Sequence, residues 1–225
     1  KVGDLKEFFH FGQNIPEALK HQYDYHENVV VDEVPLFNDY GLQAYAALQE
    51  TGKYMLRAIA LYLDLDEFYF DDYIQYGNSI LRPIHYGPIH DAPKNAVRAG
   101  QHEDINLITL LMGASAEGLE VLDKQNNWIA ITALPNQLVV NVGDMLQRLT
   151  NDKLRSTTHR VVNPPKEQWG TTRFSIPFFL HPASEMRLDC LPNCVNETHP
   201  RKYDDISAGD FLTERLIEIG LLEKK

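Results

Sequence analysis

The sequence has little cysteine, no apolar run of membrane-spanning length, and too few basic residues to balance its acidic ones. Its two cysteines, Cys190 and Cys194, have no further zinc ligands close by, so a zinc site is not indicated and we expect free thiols. Free thiols are typical of a reducing compartment, which predicts a cytoplasmic protein. The lack of a long apolar run predicts no transmembrane helix, and residues 1–4 do not resemble the start of a signal peptide.

The charge balance is acidic: 32 Asp and Glu against 21 Lys and Arg give a net charge of −11. Nucleic acids and anionic membrane surfaces are bound by basic patches, so we expect neither as a partner. A length of 225 residues with 44% hydrophobic content is typical of one globular domain. Nothing in the composition indicates an oligomeric state.

The first part of the chain, residues 1–77, is expected to be mostly helical or irregular. Apolar residues at helical spacing predict a long helix from about Asp39 to Leu63, and Asp66–Tyr73 follows as a short helix. The stretch Ile15–Asn38 has two prolines and no period, which indicates a covering loop. Its side chains Tyr23, Tyr25 and His26 are candidates for a substrate mouth, although an ordinary loop with aromatic anchors explains them as well.

Residues 78–182 have the pattern of a strand-rich core, and residues 183–225 that of a loop ending in a helix over Asp210–Leu222. Many short strands separated by Gly, Pro and Asn turns predict a mainly β fold with flanking α-helices, either a jelly roll or a sandwich. Gly87-Pro88 and Ala92-Pro93 mark one such loop. The predicted strands are Asn78–Tyr86, Gln101–Met112, Leu119–Leu122, Trp128–Ile131, Leu138–Val142, Met145–Leu149, Arg155–Asn163 and Thr172–Leu180.

A histidine and an aspartate two residues apart begin the second of these strands. Side chains at i and i+2 of a strand point to the same side, so His102 and Asp104 can reach one point in space. An imidazole and a carboxylate there are two of the three ligands of the 2-His-1-carboxylate facial triad, which binds Fe(II) and leaves positions open. His159 is the candidate for the third ligand. Alone, the His-x-Asp pair is equally a carboxylate that orients a histidine.

A second pair at the same spacing makes the metal interpretation stronger. Arg173 and Ser175 follow fourteen residues after His159. The planar fork of arginine suits a carboxylate, and the serine adds a hydroxyl donor. A metal with open positions beside a carboxylate receptor is what a chelating oxo-acid requires.

The order His102-x-Asp104, His159, Arg173-x-Ser175 resembles the Fe(II)/2-oxoglutarate-dependent oxygenases, specifically the isopenicillin N synthase-like branch. The resemblance runs from about Gly3 to the C-terminus and implies a double-stranded β-helix, the cupin-like jelly roll. Connecting segments that also resemble this branch are Asn141–Gln147, Leu149–Asn151, Arg155–Ser156 and His159–Val161.

The resemblance also implies roles for the five motif residues. His102, Asp104 and His159 would bind Fe(II). Arg173 and Ser175 would bind the distal carboxylate of 2-oxoglutarate, whose oxo-acid end chelates the iron, and O2 would take the remaining position. The implied reaction oxidatively decarboxylates 2-oxoglutarate to succinate and CO2 while a C–H bond of a small-molecule substrate is oxidised.

Other positions follow the family less closely. Tyr86 stands where the family has a tyrosine near the co-substrate, but Ile84 replaces the asparagine that plant members have two residues earlier. Leu81 and Leu110 either pack around the co-substrate or belong to the core. Members usually have a strand and two helices ahead of the region that Gly3–Phe9 resembles, so we expect that this segment is missing before Lys1.

Two alternatives remain open. One is an oxidase like isopenicillin N synthase, which uses the same triad without 2-oxoglutarate and binds the carboxylate of its substrate through Arg-x-Ser. The motif from His102 to Thr109 is close to that enzyme, whereas Asn141–Asn151 is more similar to the 2-oxoglutarate users. The other alternative is a non-catalytic cupin-like binding protein, against which the intact triad argues.

Overall fold

The computed structural model describes residues 3–22, 25–91, 95–132, 134 and 136–223. Tyr23 and Ala92-Pro93, two of the sequence predictions, lie outside these residues. The strands are β1 (Glu7–Phe8), β2 (Ile80–Leu81), β3 (Ile84–Tyr86), β4 (Ala99–His102), β5 (Ile108–Met112), β6 (Leu119–Leu122), β7 (Trp128–Ala130), β8 (Leu138–Val142), β9 (His159–Val161) and β10 (Arg173–Leu180). The α-helices are α1 (Phe37–Tyr62), α2 (Asp71–Ile74), α3 (Asp144–Leu149) and α4 (Ala208–Glu218).

The strands form two antiparallel sheets. The larger sheet has the order β1-β3-β10-β5-β8, with β2 also paired to β10, and the smaller has the order β4-β9-β6-β7. Consecutive strands β4 and β5 belong to different sheets, as do β8 and β9, so the chain crosses repeatedly from one sheet to the other. This arrangement is the predicted jelly roll with flanking helices.

Helix α1 covers the outer face of the larger sheet, close to its predicted position. Its buried residues are spaced three or four apart, which places them on one face: Tyr45, Leu48, Gly52, Leu56 and Ala60. At Gly52 an added Cβ would lie 2.8 Å from Leu180 Cδ2, so the glycine lets the helix approach β10 closely. In the described part of the chain, no helix is both long and apolar enough to cross a membrane.

The prediction of one strand over Gln101–Met112 is wrong. Strand β4 ends at His102, and β5 begins at Ile108 in the other sheet. The intervening residues 103–107 make the crossover, and the amide of Asn106 is buried there, donating to the Ile108 carbonyl oxygen and the Thr109 hydroxyl. The apolar run is therefore shared between two sheets, and the i, i+2 relation of His102 and Asp104 is not that of a strand.

The predicted strand at Met145–Leu149 is also wrong, because these residues form helix α3. Met145, Leu146 and Leu149 are all buried, and this spacing is helical. A short apolar run is compatible with either a helix or a strand, so the sequence alone did not distinguish them. The helix begins against the crossover: the Asp144 backbone N–H donates to the Asp104 carbonyl oxygen at 2.7 Å. This contact ties α3 to the residues that carry the site.

The predicted strand Asn78–Tyr86 is divided into β2 and β3, and the other elements differ from the predictions mainly at their ends. The second helix is α2 at Asp71–Ile74, because Asp66–Phe70 forms turns in which Asp66 Oδ1 accepts from the Phe68 N–H. Among the described residues of the covering loop, Glu17–Gln22 forms a short 3-10 helix. Strand β1 was not predicted; it adds Glu7 and Phe8 to the edge of β3.

Replacing Gly143 by alanine is expected to lower the free energy of unfolding by about 1–3 kcal/mol. An added Cβ would lie 2.3 Å from both the carbonyl oxygen and Oδ1 of Asn106, so the crossover and α3 would have to separate. Urea titration of the whole chain measures the change. Gly170→Ala is the matched control, since nothing lies within 4 Å of a Cβ there; equal midpoints for the two variants would contradict the prediction.

Candidate metal centre

Two histidines face each other across neighbouring strands of the smaller sheet. His102, the last residue of β4, pairs directly with His159, the first of β9, and their ring centroids are 4.3 Å apart. Each Nδ1 lies 2.8 Å from a backbone carbonyl oxygen, that of Gly100 for His102 and that of Thr157 for His159. A hydrogen on Nδ1 satisfies these contacts and leaves both Nε2 lone pairs free for a cation.

Asp104 lies in the crossover after β4 and is only 5% exposed. Its Oδ2 accepts from the Thr109 hydroxyl at 2.7 Å and from Asn141 Nδ2 at 2.9 Å. These two donors orient the carboxylate, and Oδ1 faces the histidines, 4.0 Å from His102 Nε2 and 3.8 Å from His159 Nε2.

The donor set fits a divalent metal ion. Among the residues described, His102, Asp104 and His159 form the group whose ligand atoms lie within 4.8 Å of one another. Donors bound to one ion at about 2.1 Å lie about 3 Å apart, so the side chains would draw together by about 1–2 Å. Burial, reinforced by the charge of His159, lowers the pKa of His102 and keeps its ring neutral, as ligation requires. Two imidazoles and one carboxylate are the facial-triad donors of Fe(II).

A cavity of about 740 Å³, counted out to its mouth, opens above this group. It lies between the two sheets, and alternate residues of β10 line one wall: Arg173, Ser175, Pro177 and Phe179. Half of the lining residues, counting Tyr86, are apolar or aromatic. The cavity thus joins the candidate metal group to the second sequence motif.

The metal group lies at one end of this wall and Arg173 at the other. Phe179, Thr109 and Asn141 form one row across β10, β5 and β8, and two members of this row hold Asp104. Arg173 is six residues before Phe179 on the same strand. A ligand that binds the metal at one end and extends along β10 therefore reaches Ser175 and then Arg173.

Arg173 is buried, and no carboxylate of the described residues forms an ion pair with it. It is 1% exposed, Nε donates to the Ala116 carbonyl oxygen at 3.1 Å, and within the described chain Nη1 has no hydrogen-bond partner. Its guanidinium lies 5.0 Å from the ring centroid of Tyr86, its direct partner on β3. Ser175 pairs in the same way with Ile84 and is also buried. A buried cation without a counter-ion is costly, so this end of the cavity is suited to an anion.

The sequence motifs missed the residues that support Asp104. Asn141 was noted only as part of a connecting segment, and Thr109 was not singled out, yet both donate hydrogen bonds to its carboxylate. Leu81 and Leu110 belong to the hydrophobic core and do not line the cavity. The alternation of side chains along β5 could have identified Thr109. Leu110 packs on α1, so residues 109 and 111 point to the opposite side, into the cavity.

Replacing Thr109 by valine is expected to weaken metal binding by about 10- to 100-fold, the usual effect of removing a group that orients a ligand. The change keeps the shape of the side chain and removes the hydroxyl that donates to Asp104 Oδ2. Anaerobic Fe(II) titration measures the affinity. Thr158→Val is the control, since its hydroxyl donates to the exposed Glu103 instead; an equal loss in both variants would contradict the assignment.

Comparison with known proteins shows the family of the chain. Residues 77–182 match the family model of the 2OG-Fe(II) oxygenase superfamily. Kihadalactone A synthase LFS of Citrus sinensis is 33% identical over 96% of this chain and 67% of its own length. The 2-oxoglutarate-Fe(II) type oxidoreductase ppzC of Metarhizium majus is 35% identical over 82% of this chain and 50% of its own.

Solved structures give the same result. A 2OG-Fe(II) oxygenase family protein from Caulobacter crescentus superposes with a TM-score of 0.88 and 47% identity, covering 96% of this chain and 70% of that one. A Neurospora crassa protein in complex with alpha-KG and thymine superposes with a TM-score of 0.83 and 32% identity, covering 97% and 66%. The chain belongs to the 2OG-Fe(II) oxygenase superfamily.

This membership confirms the predicted family, whose cofactors are Fe(II) and 2-oxoglutarate with O2, and its jelly-roll fold. The similarity does not extend over whole relatives. The chain spans about half the length of the first curated relatives, 50% of ppzC and 52% of hxnY from Emericella nidulans.

Proposed function

We propose that this protein is an Fe(II)/2-oxoglutarate-dependent dioxygenase that oxidises a C–H bond of a small molecule. One observation carries the proposal: a His-Asp-His group and a buried arginine, which has no counter-ion among the described residues, line the same cavity. Metal and carboxylate receptor are the two halves of a site for a chelating dicarboxylate. The names of the relatives support the same reaction class.

In this proposal His102, Asp104 and His159 hold the iron on one face. The Nδ1 contacts of the histidines and the two donors to Asp104 Oδ2 fix the ligand orientation before metal binds. Bound Fe(II), 2-oxoglutarate and O2 supply the oxidation: one oxygen atom goes to succinate as CO2 leaves, and the other is used on the substrate. The protein positions the metal and the reactants and encloses them in a cavity that limits the access of water.

Arg173 and Ser175 bind the distal carboxylate of 2-oxoglutarate. The free Nη1 of Arg173 supplies a charged donor, and the Ser175 hydroxyl supplies a second. Tyr86 lies under the guanidinium and holds its plane toward the cavity. Ile84 lies opposite Ser175 and closes this end of the cavity with an apolar side chain. Plant members of the family have an asparagine at this position.

Three further proposals complete the account. The substrate is a small molecule rather than a nucleic acid, in keeping with the net charge of −11. The protein works in the cytoplasm, which the free thiols of Cys190 and Cys194 support. Residues 1–225 act as a single domain.

The test is an anaerobic titration of the Fe(II)-loaded protein with 2-oxoglutarate, followed by its visible charge-transfer band. We expect a band at low 2-oxoglutarate concentration. The control ligand is 2-oxobutyrate, which has the same chelating end and no distal carboxylate, and it should bind far more weakly. Bound iron with no band would favour the oxidase without 2-oxoglutarate, and absence of iron binding would leave only a binding protein.

A further inference from the structure

A second arginine reaches the cavity and has no role in the proposed function. Arg82 follows β2, and its backbone N–H donates to the Pro177 carbonyl oxygen at 2.9 Å, which places it beside the wall strand β10. Its guanidinium lies 4.9 Å from the ring centroid of Phe8 and 4.8 Å from that of Phe179. Two aromatic contacts therefore hold the plane of the fork in one place.

The inner nitrogen of this guanidinium is already bound. Arg82 Nε donates to His10 Nε2 at 2.6 Å. Desolvation and the charge of Arg82 lower the pKa of His10 to about 4, so its ring is a neutral acceptor near pH 7. The two terminal nitrogens are left for other partners. Across the described ranges, no carboxylate lies within ion-pair distance of them.

The position of Arg82 is at the metal end of the cavity. It packs on Phe179, which pairs with Thr109, the residue that holds Asp104. Arg173 lies at the opposite end of β10. The proposed path of 2-oxoglutarate, from the metal along β10 to Arg173, therefore leaves the fork of Arg82 unused.

The other cation that lines this part of the cavity is neutralised. Lys6 Nζ lies 2.8 Å from Asp4 Oδ2, and Asp4 Oδ1 accepts from the Gly100 N–H. Bound Fe(II) would pair with Asp104, and bound 2-oxoglutarate would pair with Arg173. Of the Lys and Arg side chains in the described cavity lining, Arg82 would then be the one without an anion. A planar fork held in place beside an apolar wall suits a carboxylate on an apolar body.

We propose that Arg82 binds a carboxylate of the prime substrate, which is therefore a small organic acid with an apolar body. This inference rests on the proposed function. The fork sets the orientation: the acid group meets the terminal nitrogens of Arg82 beside Phe179, and the apolar part extends over the metal. A purely structural arginine between two rings would not distinguish an acid from its amide.

The test is equilibrium dialysis on the whole chain, loaded anaerobically with Fe(II) and saturated with 2-oxoglutarate so that the Arg173 site is filled. The probes are acetate, hexanoate, benzoate and 3-phenylpropionate, each compared with its amide. We expect at least one acid to bind more tightly than its amide. Arg82→Gln should weaken that acid at least tenfold and change its amide less than twofold, and Arg82→Lys should lie between.

Arg187→Gln is the matched control, an exposed arginine paired with Asp189 outside the cavity. The charge-transfer band of each variant reports an intact site; if Arg82→Gln loses it, the acid preference of Arg82→Lys decides instead. Equal binding of acids and amides by the wild type would overturn the inference, as would an acid preference that survives in Arg82→Gln. Either result in a protein that shows the band leaves the proposed function standing, whereas a wild type without the band refutes that function itself.

Discussion

Replacement of Asp104 by asparagine is expected to weaken Fe(II) binding more than about 100-fold, beyond the usual loss from a supporting residue, and to abolish turnover. The side chain keeps its size, so the reason is electrostatic. Thr109 and Asn141 both donate to one oxygen of residue 104. The asparagine would turn its carbonyl oxygen to these donors and its NH2 group to the metal, where it cannot be a ligand.

The matched control for this prediction is Glu103→Gln, which removes the neighbouring carboxylate. Glu103 is exposed and accepts from the Thr158 hydroxyl, away from the cavity. Anaerobic Fe(II) titration and turnover are measured on both variants. Wild-type iron affinity in Asp104→Asn, or an equal loss in Glu103→Gln, would contradict the assignment of Asp104 as a ligand.

Replacement of Arg173 by alanine is expected to raise the dissociation constant of 2-oxoglutarate by at least about 30-fold. Truncating one partner of a buried charge pair costs about 2–5 kcal/mol, and much of this comes from the partner that is left unpaired. The second expectation is specific to the distal carboxylate: 2-oxobutyrate, which lacks it, should bind the variant as it binds the wild type.

The charge-transfer titration measures both ligands in both proteins. Ser175→Ala should show the same selectivity with a smaller change, because it removes a neutral hydroxyl rather than a charge. An Arg173→Ala protein that loses 2-oxobutyrate as strongly as 2-oxoglutarate would contradict the account, since the defect would then lie at the metal end or in the fold.

The sequence predicted which residues form the candidate site better than it predicted how they come together. His102 and Asp104 were placed side by side on one strand, but the strand ends at His102 and Asp104 lies in the crossover. What aligns the histidines is cross-strand pairing of His102 with His159, distant in the sequence. Residue type and order were sufficient to select the three candidate ligands, because few residue types can bind a metal ion.

Contacts between distant segments could not be predicted from local sequence patterns. Thr109 and Asn141 have no motif of their own, and their role follows from the pairing of β5 with β8. Helix α3 (Asp144–Leu149) was misread because six residues are too few to separate a helical from a strand period. Arg82 becomes a candidate only when β2 packs beside β10 and brings it to Phe179.

The most direct test of the central claim is the release of labelled CO2 from 1-¹⁴C-2-oxoglutarate with succinate quantified in the same reaction. The account predicts equal amounts of CO2 and succinate, formed only with Fe(II) and O2 present, and none from the Asp104→Asn variant. Glu103→Gln should behave as the wild type. Iron-loaded wild-type protein that consumes O2 with an organic acid but forms no succinate would contradict the account and identify an oxidase instead.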